Sequence, residues 1–237
     1  MQYNMLKSIS FVVFLLYVAN AAAQSTWDSL YRPDIYPFLV EQSRQYSRSE
    51  NDIIFLGNSI TFWGNWTEML NNRYVRNRGI PGDITYGVLE RLPYIAEGHP
   101  DRIFIMIGIN DLARNIPDRV ILTNYRRMIR IIKEISPKTK IYFHTLLPTN
   151  ESFEKLKSHY GKAKHILDIN AELKMLGTNE SIQVIDLYKY FVGSDGRLKS
   201  VYTWDGVHLT AAGYRLWLDI LKENGCLPSG QKLTSTN

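Results

Sequence analysis

Cysteine is almost missing from this chain. Cys226 stands alone among 237 residues, so no internal disulfide can form and the core must hold the fold together. It sits near the end of the last helix-like stretch, where a partly buried thiol is the ordinary role and a nucleophile the unusual one. Metal-ligand spacing is missing too: His99, His144, His159, His165 and His208 fall into no pattern such as H-E-x-x-H. That weighs against a metal hydrolase. The basic excess is small, +5 with a pI near 9.1, and no dense basic block gathers it, so no nucleic-acid partner is expected. With 45% hydrophobic and 22% charged residues, the composition is that of a folded globular protein.

The first 23 residues read as a targeting segment. Lys7 supplies a positive start, Ile9–Val18 an apolar run of ten, and Ala21-Ala22-Ala23 a small-residue cleavage site. Ten residues are too few to span a bilayer. The expectation is therefore a cleaved signal peptide at 1–23 and release as a secreted or periplasmic protein without integral membrane association. A single domain over 24–228 and a polar, frayed tail over 229–237 would follow. Asn65, Asn150 and Asn179 lie in N-x-[ST] sequons, which matter only in a host that glycosylates exported proteins.

From residue 52 onward, strand-length apolar runs alternate with amphipathic helix-length segments. Strands are expected at Asp52–Leu56, Tyr74–Arg78, Arg102–Ile107, Lys140–Leu146 and Ile182–Ile185. Runs such as DIIFL and RIFIMI are continuously apolar, as in strands covered on both faces. Helices are expected at Ser59–Asn71, Ile84–Ala96, Asp118–Ile135, Phe153–Leu176 and Ala211–Glu223, the last capped by Thr210 and ended by Gly225. Trp27–Ser49 reads as a leading helix and loop. Such alternation builds a parallel sheet with helices on both faces, and its chemistry gathers outside the carboxyl ends of the strands.

Four strand-end features carry reactive groups, and each has a plain alternative. Ser59 follows Gly57-Asn58 where a helix starts: it serves equally well as an exposed nucleophile or as a helix cap. Asp205 and His208, three apart in WDGVHLTAAG, suit a base and its orienting carboxylate, or a capping Asp beside a solvated His. Asn110, in the loop of MIGINDLA, is an amide donor for an oxyanion or an Asx-turn with Asp111. Gly79 in NRGIPGD allows close approach of its N–H, or simply makes a turn.

Taken in order, Ser59, Gly79, Asn110 and His208, with GNSIT, GIND and DGVHL around them, resemble the SGNH (GDSL-type) hydrolase superfamily. The likeness runs from Asp52 to Glu223. It implies a three-layer α/β/α sandwich with a five-stranded parallel sheet, of flavodoxin-like kind. It also implies an esterase in which Ser59 attacks, His208 acts as base and Asp205 orients it. Ser59, Gly79 and Asn110 would form the oxyanion hole, with no metal or organic cofactor. An ordinary α/β-hydrolase would show a G-x-S-x-G elbow, and none occurs. Asn58 departs from the family pattern, which has Asp there; Asn keeps the shape and an acceptor oxygen but not the charge.

The wording of GIPGD and IGINDLA is similar to platelet-activating-factor acetylhydrolases and carbohydrate acetylesterases, which implies a short acyl ester, O-acetyl on a glycan foremost. A lipid acylhydrolase and a non-catalytic glycan-binding protein are the rival readings. Trp63 and Trp66 follow the nucleophile and suit either sugar stacking or, more commonly, core packing. Trp204, with Tyr188, Tyr190 and Tyr202, poses the same choice beside the His loop. Oligomeric state leaves no trace in the sequence.

Overall fold

The computed structural model describes residues 27–227; the expected signal peptide and the tail at 229–237 lie outside them. Five strands form one sheet: β1 (Ile53–Gly57), β2 (Val75–Gly79), β3 (Arg102–Met106), β4 (Lys140–His144) and β5 (Gln183–Ile185). Their order is β2-β1-β3-β4-β5 and every pairing is parallel. The chain leaves β1 towards one edge, to β2, and then crosses back over β1 to β3. That reversal opens a crevice at the carboxyl ends of β1 and β3, where loops diverge.

Helices α1 (Tyr36–Arg44), α2 (Ser59–Phe62), α3 (Trp66–Leu70), α4 (Thr85–Ala96), α5 (Ile109–Ala113), α6 (Asp118–Ile135), α7 (Ala163–Asn179), α8 (Tyr188–Phe191) and α9 (Ala211–Glu223) surround the sheet. Side chains alternate along a strand, and the two resulting faces bury different chemistry. On one face Phe55, Phe104 and Tyr142 are register partners and stack in a row, at 4.9 and 4.8 Å between centroids. Trp66 of α3 stacks on Phe55 at 4.1 Å, and Trp217 of α9 meets Trp66 edge-on at 4.8 Å. The opposite face carries Ile54, Leu56, Ile103, Ile105 and Phe143, with Tyr125 of α6 against Phe143. This is the α/β/α architecture expected from the alternating pattern.

Two expected helices differ from the observed ones for identifiable reasons. The segment 59–71 is two helices, because the chain breaks at Gly64. A Cβ there would lie 2.5 Å from the Trp66 ring, which folds back so that its Nε1 donates to Thr61 O at 2.8 Å. The segment 153–176 becomes helical only at Ala163. Before it, residues 150–162 form a strap of two 3₁₀ turns, Glu151–Phe153 and Lys157–His159, ended by Gly161 at φ +68°. Helix α5 departs from the expected loop: Asn110 lies in a helical first turn. The Thr210 cap and the positive-φ Gly225 bound α9 as expected.

His144 ends β4 fully buried, and neither ring nitrogen has a hydrogen-bond partner among the described residues. It stacks on Phe104 at 5.6 Å and meets Trp217 edge-on. Burial pushes its pKa down to about 3. An unfolded chain binds a proton here below the ordinary imidazole value, whereas the folded one does not, so stability contributed by neutral His144 is complete above about pH 6.5 and drains away as pH falls towards 3. His144→Phe, which keeps an aromatic ring, is expected to flatten the fall of Tm between pH 6.5 and 4; an unchanged slope would contradict this role for the buried ring.

Candidate active site

The reactive serine position is set by how β1 ends. Gly57 has no room for a Cβ, which would lie 2.3 Å from Met106 O and from Thr61 Oγ1, so the strand can turn directly into α2. Asn58 caps that helix, its Oδ1 accepting the Ile60 N–H at 3.0 Å. An Asp would accept the same bond, so Asn58 preserves the turn. Ser59 then falls in the first helical turn, and its own N–H has no acceptor among the described residues.

The loop before α9 brings an imidazole and a carboxylate to Ser59. His208 Nε2 lies 2.8 Å from Ser59 Oγ, and its Nδ1 lies 2.6 Å from Asp205 Oδ2. Asp205 Oδ1 accepts the backbone N–H groups of Val207 and His208, at 2.9 and 2.7 Å. Burial pushes the Asp205 carboxyl up, but the His208 ring and these N–H bonds outweigh it and hold the group below the usual carboxylate range. Gly206 makes the loop's sharp bend at φ +93°; a Cβ would lie 2.2 Å from Asn150 O. The three residues therefore form an uninterrupted Ser–His–Asp chain of hydrogen bonds, with Asp205 and His208 on one short loop.

The expected oxyanion donors divide differently. Gly79 is not free: its N–H already donates to Asn77 Oδ1 at 2.9 Å, and a Cβ would strike the Phe62 backbone at 2.3 Å. Its glycine is required by packing. Gly82 lies three residues on. Pro81-Gly82 form a turn closed by the Asp83 N–H on Ile80 O at 3.1 Å, with Gly82 at φ +79° as a type II turn requires, and the Gly82 N–H has no acceptor among the described residues. Asn110 stands beside that turn, its Nδ2 donating to Asp83 O at 2.9 Å. One Nδ2 hydrogen remains for a ligand.

This rim is fixed from beneath by a buried ion pair. Arg91, on α4, donates from Nε and Nη2 to Asp83 Oδ2 at 3.2 and 2.9 Å, from Nη1 to Arg78 O, and from Nη2 to Gly57 O at 3.0 Å. Burial pushes Asp83 up to about 6, while the Arg91 guanidinium beside it pulls the other way and favours the carboxylate. Gly87 leaves space for it, since a Cβ there would overlap Asp83 Oδ1. Asp111, next to Asn110, accepts the Thr85 N–H and hydroxyl and so caps α4 from another element.

Of the aromatic residues, Trp66 is 1% exposed and belongs to the core, but Trp63 is 58% and Trp204 52% exposed. Trp204 lies over the His208 ring at 5.6 Å and 18°. Tyr188, Tyr190 and Tyr202 pack against the core. Among the described residues no group of three or more His, Cys, Asp or Glu could hold a metal ion, and no helix is long and apolar enough to cross a membrane.

A family model described as GDSL-like Lipase/Acylhydrolase matches residues 55–216. The chain belongs to the GDSL-like lipase/acylhydrolase family. It is accordingly an ester hydrolase of the SGNH superfamily. Platelet-activating factor acetylhydrolase IB subunit alpha2 of Rattus norvegicus is 27% identical over 171 residues, covering 70% of this chain and 72% of that protein. A provisionally assigned platelet activating factor from Streptococcus pneumonia is 27% identical, with a TM-score of 0.70 over 91% of this chain and 98% of its own. A GDSL-like lipase from Bacteroides thetaiotaomicron shares the fold at 24% identity, with a TM-score of 0.70 over 81% and 98%. Within this GDSL-like framework, Asp83→Ala is expected to cost about 3–5 kcal/mol, because Arg91 would be left buried and unpaired. Urea unfolding measures that loss, and Asp83→Ala with Arg91→Met should recover part of it; a loss below about 1 kcal/mol would contradict the structural weight given to the pair.

Proposed function

We propose that the chain is an exported serine esterase that removes short acyl groups, acetyl foremost, from a carbohydrate. The observation carrying this is the Ser59–His208–Asp205 chain, at 2.8 and 2.6 Å, beside unpartnered N–H groups. Ser59 Oγ attacks the ester carbonyl as His208 Nε2 takes its proton, and Asp205 holds Nδ1–H and stabilises the imidazolium. The oxyanion forms against the Ser59 and Gly82 N–H groups and Asn110 Nδ2–H, with Gly82 in the role expected of Gly79. His208 returns the proton to the departing alkoxide, then activates the water that releases the acyl group. Export rests on the signal-like residues 1–23.

The acetylhydrolase relatives support a short acyl group, and two exposed indoles support a sugar. The exposed indoles of Trp63, one turn after Ser59, and Trp204, over His208, offer flat faces that suit a pyranose ring. The acetylhydrolase relatives favour a second reading, an acetyl group on a lipid. Acetate release from acetylated oligosaccharides, compared with acetyl and octanoyl 4-nitrophenyl esters, separates the cases: acetyl should exceed octanoyl at least tenfold in kcat/KM. Ser59→Ala should lower kcat by about 10³-fold or more. Asn58→Asp should change it modestly. Trp63→Ala should raise KM for an acetylated oligosaccharide at least fivefold more than for 4-nitrophenyl acetate. Preference for octanoyl, or full activity without Ser59, would defeat the proposal.

A further inference from the structure

The Asn110 amide has a second partner that the catalytic chain does not use. Its Nδ2 faces the Asp83 carbonyl, which can only accept, so the orientation of the amide is determined: nitrogen towards Asp83, oxygen away from it. That oxygen lies 2.9 Å from His159 Nε2. An amide oxygen cannot donate, so Nε2 carries the hydrogen of this bond. Burial, with His208 nearby, holds His159 below the ordinary imidazole range and keeps it neutral, as the Nε2–H tautomer. Its Nδ1 faces Ser158 Oγ at 3.3 Å.

His159 is itself held in place. It closes the second 3₁₀ turn of the strap, its N–H donating to Leu156 O at 2.9 Å. The neighbouring Tyr160 hydroxyl accepts the N–H groups of Lys155 and Leu156 and donates to Asp205 O at 3.2 Å. The start of the strap is tied to the same loop, the Asn150 N–H donating to Gly206 O at 2.8 Å. One segment, 150–162, thus touches both the base loop and the amide donor.

We infer that His159 is a positioning residue for the oxyanion hole: its Nε2–H fixes the Asn110 amide so that the free Nδ2 hydrogen is aimed at the developing oxyanion. Two fixed bonds, from Asn110 Nδ2 to Asp83 O and from His159 to Asn110 Oδ1, leave the amide no rotation about its last side-chain bond. Preorganised donors stabilise a transition state because no reorientation is needed when charge appears. A bond donated to the amide oxygen also polarises the amide and strengthens its N–H as a donor. His159 makes no contact with the acyl group itself in this scheme, so its removal acts on kcat and leaves KM largely alone.

This inference rests on the esterase reading of the site, and the experiment separates the two. Hydrolysis of 4-nitrophenyl acetate is measured for the wild-type chain, Ser59→Ala, His159→Ala, His159→Gln, Asn110→Ala and the double variant His159→Ala/Asn110→Ala, with thermal unfolding of each. A wild-type chain without Ser59-dependent turnover overturns the esterase reading, and the His159 role with it. With an active wild type, His159→Ala is expected to lower kcat five- to fiftyfold with KM within about twofold. His159→Gln, whose side-chain N–H can reach the same oxygen, should restore at least half of the loss on a logarithmic scale. In the Asn110→Ala background, His159→Ala should have almost no further effect. The role is overturned if His159→Ala changes kcat less than twofold or if Gln fails to rescue. It is equally overturned if the His159→Ala loss persists in full without Asn110. Should His159→Ala not fold, His159→Gln and His159→Phe decide: Gln is expected within about sevenfold of wild-type kcat, and Phe, which fills the space without an N–H, to lose at least twice as much as Gln; a Phe loss below twofold, or a Gln loss as large as that of Phe, overturns the role.

Discussion

A charge buried away from water must find all its partners inside the protein, and Arg91 finds them at the place where chemistry is needed. Its guanidinium reaches the carbonyl of Gly57 at the end of β1, the carbonyl of Arg78 near the end of β2, and the carboxylate of Asp83 past the Pro81-Gly82 turn. The nucleophile's strand, the neighbouring edge strand and the proposed oxyanion turn are thus tied to one planar, rigid group. The bond from Asn110 to Asp83 O extends the tie to the third strand. If Arg91 were withdrawn, these loops would keep their sequence but lose the common reference that sets their spacing. Such an arrangement is costly to assemble, because both ions must be desolvated, and it is recovered only by near-complete hydrogen bonding.

Around this anchor, the acid–base side is built by different means. Asp205 and His208 depend on a glycine bend and on backbone N–H groups within their own loop, with little help from buried charge. The Asp83–Asn110 side is ionic and spread over several elements; the Asp205–His208 side is local and compact. The strap at 150–162 bridges them, which explains why a stretch with helix-like composition gives up helical bonds: its groups are committed to Gly206, Asp205 and Asn110 instead.

The sheet was legible because its strands are buried on both faces and so read as unbroken apolar runs. The positions of Ser59, Asp205 and His208 were legible because a strand end and a D-x-x-H loop leave little latitude. The proposed oxyanion glycine was not. NRGIPGD offers two glycines, and only the turn chemistry of Pro81 before Gly82 distinguishes a projecting N–H from the packed one of Gly79. Trp63 and Trp66 could not be told apart without knowing that Gly64 breaks the helix between them; three residues apart, one faces solvent and the other the core. His159 gave no signal, since its value depends on a contact 49 residues away. The Asn58 departure is benign for the turn, because the cap uses an oxygen that Asn and Asp share.

Helix α9 has a bearing on when the protein becomes reactive. Its Tyr214 hydroxyl donates to Ile60 O, beside the nucleophile, and Trp217 packs on Trp66 just beyond; His208 itself lies 149 residues from Ser59. Contacts so distant along the chain form late, after the closing of a long loop. A ribosome-bound chain that stops short of Asp205 would have Ser59 and the Gly82 turn but neither the Asp205–His208 loop nor the final packing layer. In the proposed mechanism, chemical competence therefore arrives only near the end of synthesis.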